Sequence, residues 1–532
     1  MENTIKDLVF RMMGCTDEAA EVADVCGKAV AVITEGDVCL PVEDEKLLGK
    51  LRSAKEVVSI APDDTRPFVL SGLHLYTRRN WRYEAQARAS VMEMAASGGT
   101  GGAFEIPPEL ECATPMPGQR DAVIKMNSSN YSILTGGPGT GKTFTITWAV
   151  KVALSLNPEL RIALAAPTGK AAGRMTESFR GFKVRGEELR AKTLHSLLGP
   201  NADFTTFKHN RDNPLDIDWL IVDEASMIDL PMMSKLLDAL PRGCRLTLVG
   251  DEYQLASVER GRVFGDLCHA EWMQPRIARL TDSRRFEHGG EIDVFAKAVN
   301  AGDSDKALEC LNAGGDMIVY RHLREEGMTN PDSWPEFVDI ITGHLRQFCE
   351  SRTPEEALKH LNDFRVLCVE RHGAFGINRV NDYMVRKLAG SVRNPQCPIP
   401  VMITRNDKSL NVANGDVGVR MPDDPGNICL LVEEERDTGK IVYRKVRKEL
   451  LDNVETAFAM TVHKSQGSEF RDVAIILPSD GESRLLTREI LYTGITRTKK
   501  MVFLFGSDKA VEKSCKSVVS RVTGFIDPEK LM

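Results

Sequence analysis

The sequence predicts an α/β protein with two parallel-sheet lobes, a small helical domain at the N-terminus and a short β insertion in the second lobe. Short apolar runs, typical of strands buried on both faces of a parallel sheet, recur through the first lobe. These runs are Tyr131–Thr135, Arg161–Ala165, Trp219–Val222 and Arg245–Val249. Each is followed by a polar or glycine-bearing turn, which is the rhythm of a doubly wound fold. A second α/β stretch begins near residue 286 and resumes in about the last 80 residues.

Length and composition exclude several classes of protein. The chain has 532 residues, too many for one core, so we expect three or four domains. Its 69 basic and 76 acidic residues give a net charge of −7, which excludes a uniformly basic nucleic-acid coat. No apolar run approaches the roughly 18 residues of a membrane helix, and the N-terminus lacks a signal-peptide pattern. The 12 cysteines include no C-x-x-C pair, so we expect reduced core thiols in a cytoplasmic protein without a membrane partner.

A glycine-rich stretch marks the first domain boundary. Four of the seven residues from Ala96 to Gly102 are glycine, and Pro107-Pro108 follows, which predicts a linker. Residues 1–110, which include this linker at their end, are expected to form a helical domain. Aromatic and basic residues cluster near its end, at Tyr76, Arg78, Arg79, Trp81, Arg82 and Tyr83. This cluster fits either a contact with nucleic acid or a partner protein, or an ordinary packed helix with solvated arginines.

One motif predicts a nucleotide site. The run Gly136-Gly137-Pro138-Gly139-Thr140-Gly141-Lys142-Thr143 fits G-x-x-x-x-G-K-[ST] and lies after a predicted strand and before a predicted helix. Backbone N–H groups of such a loop curl around phosphates, and the helix N-terminus adds positive potential. Lys142 would reach the β- and γ-phosphates, and the Thr143 hydroxyl would bind Mg²⁺. ATP and Mg²⁺ are therefore the expected cofactors.

Further candidates follow the next apolar strands. Asp223 and Glu224 end the strand Trp219–Val222, at the edge where open α/β sheets bind ligands. Asp223 is expected to hold Mg²⁺ through water, and Glu224 to orient or deprotonate the attacking water. Gln254, after the strand Arg245–Val249, is expected to sense the γ-phosphate. Arg285 and Arg497 are candidate arginine fingers, because charge developing on the transferred phosphoryl group needs positive donors.

The segment 395–453 has a different pattern from the lobes around it. Its apolar runs at 401–404, 428–432 and 441–443 are short and are separated by turns such as Asn414-Gly415 and Asp423-Asp424-Pro425-Gly426. This spacing predicts antiparallel strands that form a small β-barrel insertion.

Several segments resemble the ordered motifs of superfamily-one helicases. They are Gln119, Ala165–Ala172, Thr193–His195, Asp223–Ser226, Gly250–Leu255, Ser283–Phe286, Ala459–Phe470 and Tyr492–Arg497. They follow helicase order over residues 116–506, about three quarters of the chain. Within that superfamily the chain resembles the RecD family, the α subunits of exodeoxyribonuclease V. The segments that carry this narrower resemblance are Leu75-Tyr76, Trp81–Glu84, Phe364–Cys368 and Asn414–Gly418.

The resemblance implies an architecture and a set of site residues. The domains implied are a partner-docking domain at 1–110, a RecA-like lobe at 111–285 with a hairpin insertion near 180–218, a second RecA-like lobe at 286–394 and 454–532, and an SH3-like insertion at 395–453. Gln119 would read the adenine and Glu469 would approach the ribose, while Arg285 and Arg497 would come from the second lobe. Thr168, His195, Thr461 and His463 would grip the phosphates of single-stranded DNA.

The resemblance also implies a function, with two alternatives left open. The leading interpretation is an ATP-driven 5′-to-3′ helicase on single-stranded and on tailed or blunt duplex DNA. It would be one motor of a heterotrimer with RecB-like and RecC-like subunits, in bacterial double-strand break repair by homologous recombination. The alternatives are a stand-alone RecD-like helicase and an ATP-dependent DNA clamp that has lost turnover. No grouping of Asp, Glu and Lys suggests a two-metal nuclease site, so we expect any cutting residues on another chain.

Overall fold

The structure is a computed structural model that describes most of the chain. The described residues are 1–60, 65–97, 104–201, 206–257, 260–283, 290–322, 335–390, 396–407, 409–410, 412–434, 441–478, 483–519 and 521–525. The chain divides into two compact units, of which the first comprises Met1–Ser283 with Ser520–Met532 and the second Arg284–Val519. None of the described helices is long and apolar enough to cross a membrane.

The N-terminal domain contains the expected helices and also a four-stranded sheet that the sequence analysis missed. Its helices are α1 (Glu2–Met12), α2 (Asp17–Thr34), α3 (Glu45–Ser53) and α4 (Arg78–Ala96). Its strands are β1 (Cys39–Pro41), β2 (Val58–Ser59), β3 (Phe68–Ser71) and β4 (His74–Thr77), in the order β1-β4-β3-β2. These strands have only two to four residues each, too few to show an alternating pattern.

The first lobe is a six-stranded parallel sheet with the strand order β12-β5-β11-β10-β6-β9. Its strands are β5 (Tyr131–Gly136), β6 (Ile162–Ala166), β9 (Ala191–Thr193), β10 (Trp219–Val222), β11 (Arg245–Gly250) and β12 (Ile277–Leu280). Its helices are α5 (Gln119–Ser128), α6 (Lys142–Leu156), α7 (Gly169–Ser178), α8 (Leu194–Leu198), α9 (Leu230–Asp238) and α10 (Val263–His269). The four predicted strands are confirmed to within one residue at each end.

A small hairpin lies between α7 and β9. Strands β7 (Lys183–Val184) and β8 (Glu187–Glu188) pair antiparallel around Arg185 and Gly186, which both have positive φ. Two such residues form the tight turn that suits a two-residue hairpin. The hairpin thus lies at 183–188, within the predicted 180–218 insertion. Further along the 180–218 insertion, Phe207 is buried against the lobe.

The N-terminal domain and the first lobe share one hydrophobic core. Tyr76 and Val91 lie in the same buried cluster as Leu230 and Phe264 of the lobe, and Trp81 and Tyr83 pack against it. The Tyr76 hydroxyl donates a hydrogen bond of 2.9 Å to Glu84 inside the protein. The aromatic part of the cluster near residue 80 therefore packs internally, as in the packed-helix interpretation.

The last described residues, Arg521–Phe525, belong to the first unit, whereas the sequence analysis assigned residues up to 532 to the second lobe. We name them the C-terminal segment. The Val522 N–H donates to Asp37 Oδ1 at 2.9 Å, and its carbonyl accepts from the Val38 N–H at 3.0 Å. The Gly524 N–H lies 3.0 Å from each carboxylate oxygen of Glu84. The side chain of Phe525 is buried in the shared core.

The second unit has its own parallel sheet, five strands in the order β13-β22-β21-β14-β20. The strands are β13 (Ile318–His322), β14 (Phe364–Cys368), β20 (Ala459–Thr461), β21 (Phe470–Ile476) and β22 (Thr498–Gly506). The helices are α11 (Glu291–Ala301), α12 (Ser304–Ala313), α13 (Pro335–His344), α14 (Arg346–Glu350), α15 (Pro354–Leu361), α16 (Ile377–Met384), α17 (Arg488–Ile495) and α18 (Asp508–Lys516). Two parallel sheets covered by helices confirm the predicted α/β architecture with two RecA-like lobes.

The β insertion is a five-stranded antiparallel sheet, ordered β18-β17-β16-β15-β19. Its strands are β15 (Ile399–Ile403), β16 (Val417–Arg420), β17 (Asn427–Glu434), β18 (Ile441–Arg447) and β19 (Val454–Thr456). Gly415 has φ +93°, as a tight turn before β16 requires. The predicted antiparallel strands are therefore present, while closure into an SH3-like barrel stays a prediction.

Candidate functional site

The sheet order of the first lobe places the predicted site residues along one edge. Strands β5, β11, β10 and β6 are consecutive neighbours and run parallel, so their carboxyl ends meet at the same edge. The glycine-rich loop follows β5, Gln254 follows β11, and Asp223 and Glu224 follow β10. This is the edge at which open α/β sheets bind their ligands.

The glycine-rich loop has the backbone that phosphate binding needs. Gly139 and Gly141 have φ values of +78° and +85°, which side chains other than glycine rarely adopt. A Cβ atom on Gly136 would lie 2.7 Å from the carbonyl oxygen of Leu280, so this position also requires glycine. Helix α6 begins at Lys142, directly after Gly141. Its first N–H groups therefore point at the loop, where they favour an anion.

Lys142 lies over the loop. Its ammonium group donates to the carbonyl oxygens of Gly136 and Gly137. The Thr140 hydroxyl also donates to the Gly137 carbonyl, at 2.8 Å. These contacts hold the lysine at the mouth of the loop. Thr143, one residue further on, is exposed at the first turn of α6.

Gln119 lies directly against this loop. Its side chain is only 2% exposed and its amide nitrogen lies 3.4 Å from the Thr140 carbonyl oxygen. Its amide oxygen accepts a hydrogen bond of 2.9 Å from the Met116 N–H. The structure thus places Gln119 at the nucleotide loop, while its recognition of adenine stays a prediction.

Asp223 and Glu224 form a compact acidic pair. Burial and the neighbouring Glu224 carboxylate raise the pKa of Asp223, while the Glu224 N–H, bound at 2.8 Å, and Lys142 oppose the shift. Such a carboxylate gains from a nearby cation, which fits the predicted magnesium site with Thr143. Glu224 has φ +53°, an unusual conformation for a residue with a side chain. Strained backbones of this kind concentrate at functional sites.

Arg174 is a site residue that the sequence analysis missed. Its guanidinium nitrogen lies 3.3 Å from Glu224 Oε1, although 50 residues separate the two in sequence. Arg174 lies on α7, which follows β6, and β6 pairs with β10, which precedes Glu224. The signal for it was available in principle, because a helix after β6 must lie beside the residues that follow β10.

Gln254 belongs to a buried polar cluster after β11. It is 7% exposed and donates to Asp251 Oδ2 at 3.0 Å. The neighbouring Glu252 is bound by the Arg279 guanidinium at 3.2 Å, and its N–H donates to the Thr135 hydroxyl at 3.2 Å. Thr135 is on β5, immediately before the glycine-rich loop. Gln254 and Thr135 are therefore linked through Asp251 and Glu252, which are neighbours in the chain.

Two predicted DNA-contacting residues lie at helix starts in the first lobe. Thr168 caps α7, since its hydroxyl accepts from the Ala171 N–H at 3.3 Å. His195 lies in the first turn of α8, and its ring packs edge-on against Phe207 at 5.7 Å. Burial lowers the pKa of His195, which favours the neutral imidazole. Both sites can offer backbone or side-chain donors to a phosphate without a basic surface.

Four predicted residues lie in the second unit. Arg497 is 3% exposed, and its guanidinium donates to the carbonyl oxygens of Thr493 at 3.2 Å and Ser468 at 3.3 Å. Glu469 Oε2 lies 4.0 Å from the Lys499 ammonium nitrogen. Thr461 ends β20 and accepts from the Lys464 N–H at 3.3 Å, and His463 follows in a short 3₁₀ turn. The candidate Arg285 lies outside the described residues.

Among the residues that the structure describes, no group of three or more His, Cys, Asp or Glu side chains is placed to hold a metal ion. The metal-binding candidates thus remain Thr143 and Asp223, whose hydroxyl and carboxylate oxygens suit Mg²⁺.

Known proteins match this chain over most of its length. Residues 119–260 match the family model described as an AAA domain, and residues 456–505 match the UvrD-like helicase C-terminal domain. The RecBCD enzyme subunit RecD of Mycolicibacterium smegmatis is 38% identical over 86% of this chain and 82% of its own length. The RecBCD enzyme subunit RecD of Mycobacterium tuberculosis is 36% identical over 85% of this chain and 79% of its own length. Among solved structures, the Bacteroides Pif1 helicase in complex with ADP-AlF3 and ssDNA is 15% identical over 80% of this chain and 94% of that chain, with a TM-score of 0.41.

The fold, the site and the sequence matches together define a class. The chain is an ATP-hydrolysing DNA helicase built on two P-loop-type lobes. Within that class, the chain belongs to the RecD family.

Proposed function

We propose that this chain is a 5′-to-3′ single-stranded DNA motor that works beside RecB-like and RecC-like subunits. It would act on tailed and blunt duplex ends in double-strand break repair by homologous recombination. The relatives named RecBCD enzyme subunit RecD support the assembly, since the chain covers 82% and 79% of two of them. The ATP-dependent RecD2 DNA helicase of Deinococcus radiodurans is 32% identical, and the chain covers only 49% of it. The higher identity to the RecD subunit, 38% over 86% of this chain against 32% over 74% for RecD2, favours the subunit over the stand-alone helicase.

The nucleotide site supports a division of labour between residues. The loop N–H groups and Lys142 would bind the phosphates, with Lys142 leaving the Gly136 and Gly137 carbonyls to do so. Thr143 and Asp223 would hold Mg²⁺, which when bound neutralises charge on the β- and γ-phosphates. Glu224 would accept a proton from the attacking water. Gln254 would sense the γ-phosphate through the polar cluster at Thr135 and Asp251.

The second unit is proposed to supply positive charge and a grip on DNA. Arg285 and Arg497 are the proposed arginine fingers, and Arg497 would exchange a carbonyl contact for a phosphate oxygen. Thr461 and His463 in the second unit, with Thr168 and His195 in the first, would bind phosphates of the DNA backbone. A cycle in which ATP alternately closes and opens two DNA-binding lobes gives directed stepping.

Unwinding of tailed duplexes tests the direction of movement. A duplex with a 5′ single-stranded tail should be unwound in an ATP-dependent reaction, and a duplex with a 3′ tail should not. The reverse preference would contradict the proposed polarity. Co-expression with RecB-like and RecC-like chains should give a stable complex, and a failure to associate would favour the stand-alone alternative.

Two variants of α6 test whether the site turns over ATP. Lys142→Gln removes the charge that binds the phosphates, so DNA-stimulated ATPase should disappear. Lys151→Gln removes an exposed charge further along the same helix and should leave the rate unchanged. If the wild type itself shows no DNA-stimulated hydrolysis, the clamp alternative replaces the motor. Nuclease activity that tracks the purified chain alone would contradict the assignment of cutting to another subunit.

A further inference from the structure

Helix α7 connects two parts of the proposed mechanism. Its N-terminus is capped by Thr168, a proposed DNA contact, and its middle carries Arg174, which contacts the proposed base Glu224. The two residues are six positions apart, or about 9 Å at 1.5 Å rise per residue. An event at the start of the helix can therefore reach the acidic pair through one short, continuous element.

The buried face of α7 holds the helix on the sheet. Ala171, Ala172 and Met175 are all buried, and the Thr176 hydroxyl accepts from the Ala191 N–H of β9 at 3.0 Å. Arg174 lies between these anchors on a more open face, with its side chain 33% exposed. Because Arg174 lies outside the buried face, a sub-ångström shift of α7 can lengthen its contact with Glu224 while Ala171, Ala172 and Met175 stay packed on the sheet.

The contact occupies the group that must act in hydrolysis. The Arg174 guanidinium lies 3.3 Å from Oε1 of Glu224, and the Glu224 side chain is 17% exposed. A carboxylate oxygen that accepts from a guanidinium is less available to accept a proton from water. The left-handed backbone of Glu224, with φ +53°, fixes where its side chain starts, so side-chain torsions and Arg174 decide where the carboxylate points.

We propose that Arg174 is a positioning residue that restrains Glu224 until DNA engages the start of α7. Binding of a DNA phosphate at Thr168 would move α7, release Oε1 of Glu224 and so stimulate ATP hydrolysis. This inference rests on the proposed function, because it takes Glu224 as the base and Thr168 as a DNA contact. It adds Arg174 as the residue that couples DNA binding at Thr168 to the base Glu224.

The test is ATP hydrolysis by the full chain with and without single-stranded DNA. Arg174→Ala should raise the rate without DNA about fivefold, the effect expected for removing a partly exposed ion pair of about 1 kcal/mol at 1.36 kcal/mol per tenfold. The rate at saturating DNA should stay within about twofold of wild type. The factor of stimulation by DNA should therefore fall, while the affinity for DNA stays the same. The rate of Arg174→Lys without DNA should lie between those of wild type and Arg174→Ala, because lysine keeps the charge.

Matched variants separate this role from a general effect on folding. Arg180→Ala removes the same type of side chain just after α7 and should behave as wild type. A double change, Gly173→Arg with Arg174→Gly, keeps the composition but turns the guanidinium by about 100° around the helix. Gly173 has open space around its Cβ position, so the exchanged arginine fits there. The rates of ATP hydrolysis of this double variant, with and without DNA, should match those of Arg174→Ala.

The outcomes distinguish failure of the inference from failure of the proposed function. If Arg174→Ala lowers the DNA-free rate or leaves it unchanged, the restraint is refuted. If Arg174→Ala instead weakens DNA affinity with no change in the DNA-free rate, the residue serves DNA binding and the restraint is again refuted. Glu224→Gln should abolish hydrolysis in both conditions. If Glu224→Gln still hydrolyses ATP, the assignment of the base is wrong whatever Arg174 does.

Discussion

Replacing Phe525 with alanine should destabilise the first unit by about 3 to 5 kcal/mol, the usual cost of removing a buried phenylalanine side chain. Phe525 is 1% exposed and lies in the core shared by the N-terminal domain and the first lobe. The residues before Phe525 cannot move to fill the space that the ring leaves. Their backbone groups bond to Asp37, Val38 and Glu84, so the cavity is expected to persist.

The measurement is thermal unfolding of the full chain, monitored by differential scanning calorimetry. For a unit of this size, 1 kcal/mol shifts the melting temperature by about 1.6 °C, so a shift of roughly 5 to 8 °C is expected for the first transition. Val518→Ala is the matched control, because Val518 is 46% exposed and its loss should change little. The transition of the second unit should be unaffected in both variants.

A second observation checks where the destabilisation occurs. Limited proteolysis of Phe525→Ala should release fragments of the N-terminal domain sooner than in wild type, because the C-terminal segment joins that domain to the first lobe. Equal melting temperatures for Phe525→Ala and Val518→Ala would refute the argument. That result would mean that residues 521–525 are not docked in solution.

Two further predictions follow from buried or strained positions. Burial raises the pKa of Glu84 from its ordinary value of 4.5 to about 7, against the opposing effects of the Gly524 N–H, the Tyr76 hydroxyl and Arg88. Because the folded pKa is the higher one, the stability from this group is present below about pH 4.5 and is lost as the pH rises through 7. The stability lost over this range is at most about 3 kcal/mol. In denaturant titrations between pH 4.5 and 8, the free energy of unfolding of Glu84→Gln should depend less on pH than that of wild type. Equal dependence on pH in the two proteins would contradict the prediction. Gly141→Ala would place a Cβ atom 2.4 Å from Gln119 Nε2, at a residue with φ +85°. The affinity for ATP, measured by fluorescent-nucleotide titration, should therefore weaken roughly tenfold. Gly343→Ala is the control, because the space around its Cβ position is open, and it should leave the affinity unchanged.

The lobe strands and the nucleotide loop were predictable because their determinants are local. A strand buried on both faces is an unbroken apolar run, and Trp219–Val222 has no polar residue to blur its ends. The loop motif needs a backbone with positive φ at positions 139 and 141, and glycine occurs at both positions of the sequence. These features need no knowledge of the rest of the chain.

The features that were missed depend on distant partners. Strand β3 has four residues, and its pairing with β4 has no signature beyond a Gly72 turn. The C-terminal segment bonds to residues more than 400 positions away, so no pattern within residues 521–525 predicts where it lies. Buried carboxylates such as Glu84 and Asp266 show the same limit, since only the folded structure reveals that Gly524 and Thr523 donate to them.

The Arg174–Glu224 contact lies between these two cases, and it shows why coupling can be built into such a lobe. Ala165 of β6 pairs with Val222 of β10, so the helix after β6 and the acidic pair after β10 start from adjacent points. From the helix after β6, the long side chain of Arg174 reaches Glu224 Oε1 at 3.3 Å. A DNA contact at the start of the same helix then has a mechanical route to ATP hydrolysis through a single element. The sheet order therefore makes this connection available, and the identity of residue 174 decides whether the chain uses it.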